Sequence, residues 1–166
     1  MKKTYILTAI ILLIFLFGCS RYEDGPCISF RSAKKRVLGT WHVEKLLIND
    51  LDSTELYRQQ MGCEWEFTDD PFYENGDGYV LYYKNCMDDT VRKGLWYFDN
   101  ISENIIAIDM SGDIYSNPIG PLGRWEGWDI LRLSNSEMHL WVKPEHYIIY
   151  WDYPENTTFY LELKKL

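Results

Sequence analysis

Short segments in which apolar and polar residues alternate, separated by turn-forming residues, recur along most of this chain. In the clearest one, Met138, Leu140 and Val142 are spaced by single residues that would face the opposite side. A period of two is typical of a half-buried β-strand. Eight or nine such segments with hardly any helix predict an all-β domain, either a sandwich or a barrel. Because the turns between neighbours are short, we predict an up-and-down antiparallel β-barrel of about eight strands with one or two short helices.

The first strand of this barrel is predicted at Thr40–Ile48. Its apolar residues change sides near Lys45, which indicates a β-bulge at that point. Downstream, Ser53–Gln60 is predicted as a short helix that ends at Gly62, since glycine is common just after a helix.

Three further predictions concern strand boundaries. Residues 49–52 are expected to form a turn. The strand at Glu64–Phe67 is expected to end before Asp69-Asp70-Pro71, because these residues disfavour the interior of a strand. Tyr147–Trp151 is expected to form the strand before the last one.

The N-terminus is typical of an export signal. Lys2 and Lys3 precede an apolar run at Tyr5–Phe17, which is too short for the roughly 20 residues of a transmembrane helix. We therefore divide the chain into a signal peptide (1–18), a tether with a short helix (19–35) and one β-barrel domain (36–166).

The end of this signal, Leu16-Phe17-Gly18-Cys19, resembles the lipobox of bacterial lipoproteins. The resemblance implies that Cys19 is lipidated, for example with palmitate, and anchors the chain in the lipid bilayer of the outer membrane; two or more acyl chains give stable anchorage. Whether the domain faces the periplasm or the cell surface is left open by the sequence. The alternative is an ordinary signal peptide with an incidental cysteine.

Charge restricts the partners of the mature chain. Without Lys2 and Lys3, 15 basic residues stand against 25 acidic ones, which leaves a net charge of about −10. Such a surface repels phosphate backbones, so we expect no nucleic acid as a partner.

Three cysteines remain in a compartment where disulfides persist. Cys63 and Cys86 bracket a predicted hairpin almost symmetrically about Asn75-Gly76, and we predict that they pair. Closing a loop of this size contributes about 3 kcal/mol. The fate of Cys27, including pairing with either of the others, stays open.

Gly39-Thr40-Trp41 resembles the Gly-x-Trp signature of lipocalins, and its setting resembles the lipocalin-like lipoproteins of Bacteroidetes. The order and spacing of Trp128–Ser134 and Phe159–Lys165 extend the resemblance over most of residues 36–166. It implies a calycin-type barrel in which Gly39 and Trp41 form the floor and a basic residue from a late strand packs over the tryptophan. Lys164 is the first candidate for that residue and Arg132 the second.

A small hydrophobic, aromatic or glycan ligand at the mouth of the barrel is the first functional hypothesis. The chain has 13 Tyr, 7 Trp and 7 Phe, and its longest irregular stretch is Ser111–Gly127. Long loops with apolar residues of their own are often functional, so Tyr115, Trp125 and Trp128 are the predicted ligand contacts. The alternative is a solid barrel filled by these rings, in a structural lipoprotein or one that contacts an envelope protein partner.

Neither enzyme chemistry nor a cofactor is expected. The sequence contains no Gly-x-Ser-x-Gly, His-Glu-x-x-His or phosphate-binding loop, so we predict no catalytic residues. His139 and His146 flank one turn without further ligands at suitable spacing, and no metal site is predicted. Ser53 and Thr90 each follow an aspartate in a three-residue pattern that resembles the O-glycosylation site of Bacteroidetes envelope proteins.

Overall fold

A computed structural model describes residues 31–74, 76–99, 103–110, 126–142 and 157–166. Within these ranges it contains two short helices, α1 (Ala33–Val37) and α2 (Thr54–Met61). The strands are β1 (Gly39–Ile48), β2 (Leu51–Asp52), β3 (Glu64–Pro71), β4 (Tyr79–Lys84), β5 (Val91–Phe98), β6 (Ile105–Asp109), β7 (Glu126–Leu133), β8 (Glu137–Val142) and β9 (Phe159–Lys165).

The strands form one antiparallel sheet that closes on itself. From β3 to β9 each strand pairs with its neighbour in sequence, and β1 pairs with both β3 and β9. β2 is a two-residue addition to β1 outside the ring of eight. The predicted all-β, up-and-down antiparallel barrel of about eight strands with one or two short helices is confirmed.

The local sequence explains several boundaries. The register of β1 against β9 shifts between Val43 and Lys45, so the predicted bulge is confirmed. α2 begins after Ser53 and ends at Gly62, whose φ of 90° favours glycine. The alternating residues therefore predict the strands, and the sequence also predicts the bulge in β1 and the end of α2.

Two predicted boundaries are wrong. Residues 51–52, expected in a turn, form β2 by pairing with Leu47 and Ile48 of β1. β3 continues to Pro71, which pairs with Tyr79 across an irregular stretch. Proline is tolerated there because it lies at the end of the strand beyond an irregularity, where the ladder does not require its N–H. The predicted strand at Tyr147–Trp151 lies outside the described residues.

The interior of the barrel is packed with large side chains. Four tryptophans lead the set of fully buried side chains, which share the inward face of the strands or of α2: Trp41, Trp65, Trp96, Trp128, Tyr57, Tyr83, Phe67 and Phe159. An eight-stranded barrel is just wide enough to be filled in this way. Half of the described aromatic residues are thus fully buried in the core.

The barrel has two ends, which we name after the helices. At the α1 end lie α1, the start of β1, the end of β9 and the β3–β4 and β5–β6 connections. At the α2 end lie α2, the end of β1 and the start of β3. Residues 111–125, between β6 and β7, lie outside the described residues.

Candidate functional site

The α1 end is closed around Trp41. The indole N–H of Trp41 donates to the Val37 carbonyl at 2.6 Å, and the ring is fully buried. Gly39 has a φ of 116°, and a Cβ there would lie 3.0 Å from the Lys165 side chain. Glycine is favoured because L side chains rarely adopt this backbone conformation, and a Cβ would also push the Lys165 side chain away.

The basic residue over Trp41 is Lys165. Its ammonium lies 5.0 Å from the Trp41 ring centre and donates to the carbonyls of Arg36, at 3.1 Å, and Leu38. Burial lowers the pKa of Lys165, and the positive charge of Arg31 lowers it further. Lys165 therefore ties the end of β9 to the segment that joins α1 to β1.

The prediction of Lys164 for this role is wrong by one residue. Lys164 is exposed on the outer face, because side chains of a strand alternate and the inward positions of β9 are Phe159, Leu161 and Leu163. Lys165 continues that inward series, so the alternation of residues in β9 predicts Lys165 as the residue over Trp41. The second candidate, Arg132, pairs with Glu137 at 2.8 Å instead.

A groove of about 740 Å³ lies at the α1 end, outside the packed interior. Its volume falls within the range of small-molecule sites. Four aromatic rings line it: Tyr73, Tyr79, Tyr97 and Phe98. Three charged residues line it as well: Lys34, Asp77 and Glu103. The groove combines ring faces with groups of both charge signs.

Lys34 and Tyr79 form the contact at the centre of this groove. The Lys34 ammonium lies 3.6 Å from the centre of the Tyr79 ring, which is the geometry of a cation–π interaction. Tyr79 in turn packs against Trp96, with ring centres 5.2 Å apart. Since Trp96 is fully buried, the groove rests directly on the aromatic core.

The β3–β4 connection forms one wall of the groove and is held by its own hydrogen bonds. The Phe72 amide donates to the Gly78 carbonyl at 3.0 Å, and the Gly76 amide donates to the Tyr73 carbonyl at 2.9 Å. Gly76 and Gly78 have φ values of 81° and 73°. A Cβ at Gly78 would also overlap the Leu95 side chain, so this wall depends on glycine.

The α2 end is held by hydrogen bonds and a disulfide. Cys63 and Cys86, the predicted pair, form a disulfide with Cα atoms 5.7 Å apart. On α2, the Arg58 guanidinium donates to the carbonyls of Val43, at 2.6 and 2.9 Å, and Glu44, at 3.3 Å. These bonds attach α2 to the bulged part of β1.

Tyr57 extends from α2 into the barrel, where its ring centre lies 6.3 Å from that of Trp65. Its hydroxyl and the indole N–H groups of Trp65 and Trp128 are buried and have no hydrogen-bond partner among the described residues. Burial raises the pKa of Tyr57 well above its ordinary value, with a smaller contribution from Tyr83. The Tyr57 hydroxyl therefore stays protonated and able to donate.

The predicted ligand contacts are not brought together by the described structure. Tyr115, Trp125 and the lipidation site Cys19 lie outside the described residues. Trp128 is fully buried in the core. No sequence pattern indicated the groove at the α1 end, whose walls come from four separate segments.

The predicted glycosylation sites, Ser53 and Thr90, both lie in turns at the α2 end. Ser53 is the N-cap residue of α2, and Thr90 is exposed before β5. The Thr90 hydroxyl donates to Asp88 at 2.6 Å.

His139 lies on the outer face of β8. Its Nδ1 is 3.1 Å from the Tyr160 hydroxyl, and its Nε2 is 3.9 Å from a Glu162 carboxylate oxygen. Among the described residues, no group of three His, Cys, Asp or Glu side chains is arranged to hold a metal ion. His146 lies outside the described residues.

Neither helix of the described part has the length and hydrophobicity needed to span a membrane. No model of a known protein family matches this chain, and no curated protein sequence matches it. The closed ring of eight antiparallel strands is consistent with a calycin-like fold.

Proposed function

We propose that this chain is a non-catalytic lipoprotein of the bacterial cell envelope, tethered to the outer membrane through Cys19, with a solid barrel that binds at its surface. The observation that carries this proposal is the packing of the interior by four fully buried tryptophans and other large side chains. A barrel of this size filled by its own side chains leaves binding to the loops, the ends and the outer face.

A ligand inside the barrel has to overcome the packing of the interior. An apolar ligand inside the barrel has to displace side chains such as Trp41 or Trp96, which are fully buried. Removing a buried tryptophan from its packing costs about 3–5 kcal/mol, so an interior ligand has to replace those contacts before it gains any affinity. A ligand or protein partner on the surface meets no such cost.

Native mass spectrometry of the full-length protein purified from its own cells tests the solid barrel. The expected mass is that of the acylated chain with any glycans and no small molecule retained in the barrel. A stoichiometric apolar ligand that survives purification contradicts the proposal. The same spectrum reports the acyl chains, the glycans and the state of the cysteines.

The tether is tested separately by labelling cells with an alkyne analogue of palmitate. The wild-type chain is expected to carry the label and to fractionate with membranes, whereas the Cys19→Ser variant loses both properties. A Cys19→Ser chain that keeps the label contradicts the anchoring. Protease treatment of intact cells then decides which side of the outer membrane carries the barrel.

A second candidate function is favoured by two buried donors beneath α2 that have no partner among the described residues. A small molecule that enters at the α2 end and carries oxygen acceptors would give partners to the Tyr57 hydroxyl and the Trp65 indole N–H. In that case mass spectrometry finds a retained ligand, and Tyr57→Phe lowers its occupancy. Tyr82→Phe is the matched control, because Tyr82 lies on the outer face of β4.

A further inference from the structure

We propose that the groove at the α1 end binds a neutral oligosaccharide. The inference rests on the proposed function as a surface-binding protein and adds the place and the ligand class. It starts from one juxtaposition: aromatic rings that pack against the core share one groove with the Lys34 ammonium and with the carboxylates of Asp77 and Glu103.

The rings provide the surface on which a sugar packs. Tyr73 is 44% exposed, although it is held beside Phe72 with ring centres 4.8 Å apart. Phe98 is only partly buried and packs against Trp96, whereas one face of Tyr79 is covered by the Lys34 ammonium. An aromatic face that is rigid and accessible suits the C–H face of a sugar ring, which is apolar and flat.

The charges select against ionic ligands. The Lys34 ammonium already lies over the Tyr79 ring, so a cationic ligand has to compete with it for the same face. An anionic ligand meets the carboxylates of Asp77 and Glu103. A neutral sugar carries hydroxyl groups that both donate and accept, so it is compatible with an ammonium and with carboxylates in one groove.

The groove is formed before any ligand arrives. The β3–β4 wall is fixed by two internal backbone hydrogen bonds and by Gly78, as described above. Lys34 is held by α1, in which Ala33 and Val37 are fully buried against the barrel. A preformed site binds with less loss of conformational entropy than one that has to be ordered by its ligand.

The test is isothermal titration of the full-length protein with neutral tetrasaccharides of glucose, xylose, mannose and N-acetylglucosamine. A non-glycosidic detergent is required, because sugar-headed detergents would compete for the groove. We expect at least one of the four to bind. Tyr73→Ala, which removes an exposed ring, is expected to weaken that binding about tenfold, and Lys34→Gln about threefold.

Two matched variants control for general effects. Lys35→Gln removes the same charge from an exposed neighbour on α1, and Tyr82→Ala removes the same ring from the outer face of β4. Both are expected to bind within about twofold of wild type. Urea unfolding of all four variants shows that each is folded under the conditions of the titration.

Three results overturn the inference in different ways. If no neutral tetrasaccharide binds, the ligand class is wrong, while the solid barrel and the tether remain subject to their own tests. If a tetrasaccharide binds equally to wild type, Tyr73→Ala and Lys34→Gln, then surface binding stands and the groove is the wrong place. Tighter binding of a tetrasaccharide of galacturonate than of the neutral sugars overturns the charge argument.

Discussion

The two ends of this barrel are secured by different means. At the α1 end, Trp41 is fully buried and Lys165 partly buried, and the Trp41 N–H and the Lys165 ammonium have backbone carbonyls as acceptors. At the α2 end, the Tyr57 hydroxyl and the Trp65 N–H are buried without partners among the described residues, and a disulfide and Arg58 hold the helix in place. Hydrogen bonds to backbone carbonyls secure both ends, and a disulfide adds a covalent link at the α2 end.

The two ends also differ in how well their buried polar groups are hydrogen-bonded. Buried polar groups without partners cost free energy, so the α2 end contains the less favourable interior contacts. At the α1 end, Trp41 and Lys165 donate to backbone carbonyls, and the aromatic groove lies outside them. We infer that the α1 end is the rigid platform and that the α2 end is the place where the interior opens first.

The largest expected effect is at the α1 end. Trp41→Ala removes a fully buried side chain and leaves a cavity beside α1, so we expect it to lower the free energy of unfolding by about 4 kcal/mol. Urea denaturation followed by tryptophan fluorescence measures the change. Leu51→Ala is the control, because Leu51 is 72% exposed and its loss is expected to cost less than about 0.5 kcal/mol. If Trp41→Ala lowers the free energy of unfolding by less than removal of the disulfide does, the α1 end is not the more strongly stabilised of the two ends.

Removing the disulfide is expected to cost somewhat less and to act on the other end. The Cys63→Ser, Cys86→Ser double variant should lose about 3 kcal/mol, because the unfolded chain regains the freedom that the cross-link removes. Hydrogen exchange should show faster exchange in α2 and at the start of β3, with β9 protected as before. Reduction of the wild-type protein should reproduce this pattern. Equal loss of protection in β9 would contradict a local role for the cross-link.

Lys165→Met tests the corrected assignment at the α1 end. The variant keeps much of the side-chain volume but leaves the Arg36 and Leu38 carbonyls without their donor, so we expect a loss of about 2 kcal/mol. Lys164→Met is the matched control: the neighbouring lysine is exposed, and its replacement should cost less than about 0.5 kcal/mol. Equal unfolding midpoints for the two variants in urea would show that Lys165 has no special role.

The positions of Lys164 and Lys165 also show how much of the fold can be predicted from the sequence. The closed barrel was predictable because alternation is a local property, as in Met138, Leu140 and Val142, all of which point inward. The same alternation marks Lys165, which shares its parity with Phe159, Leu161 and Leu163, but the assignment to Lys164 did not follow it. The strand assignment was correct where local alternation decided it and failed at β2, where pairing with a neighbour forms the strand.

The groove was not predictable in this way. Lys34, Tyr79 and Glu103 come from a helix, a strand and a loop that only the register of the sheet brings together. Each of these residues is unremarkable in its own segment, and no motif joins them. The sequence instead drew attention to the irregular stretch at Ser111–Gly127, because long loops are visible in a sequence while surfaces made of several segments are not.

The smallest expected effect concerns the polar links at the α2 end. Asp52 accepts hydrogen bonds from the Thr54 hydroxyl at 2.6 Å and the Thr54 amide at 3.0 Å, and these bonds lower the pKa of Asp52. Asp88 makes the same two bonds to Thr90, which lower its pKa in the same way. The first pair precedes α2, whereas the second lies in the turn between β4 and β5.

A carboxyl whose pKa is lower in the folded than in the unfolded chain stabilises the fold above its unfolded pKa, near pH 4. That contribution disappears as the pH falls through the folded pKa, because both states then bind the proton. Asp52→Asn should therefore unfold at a lower urea concentration than wild type at pH 7, and the gap should close in acid. Asp88→Asn should show the same convergence, with a smaller gap at pH 7, because no helix follows Asp88. If the difference in urea midpoint between wild type and Asp52→Asn stays constant from pH 7 to pH 2, the carboxylate charge of Asp52 does not contribute to stability.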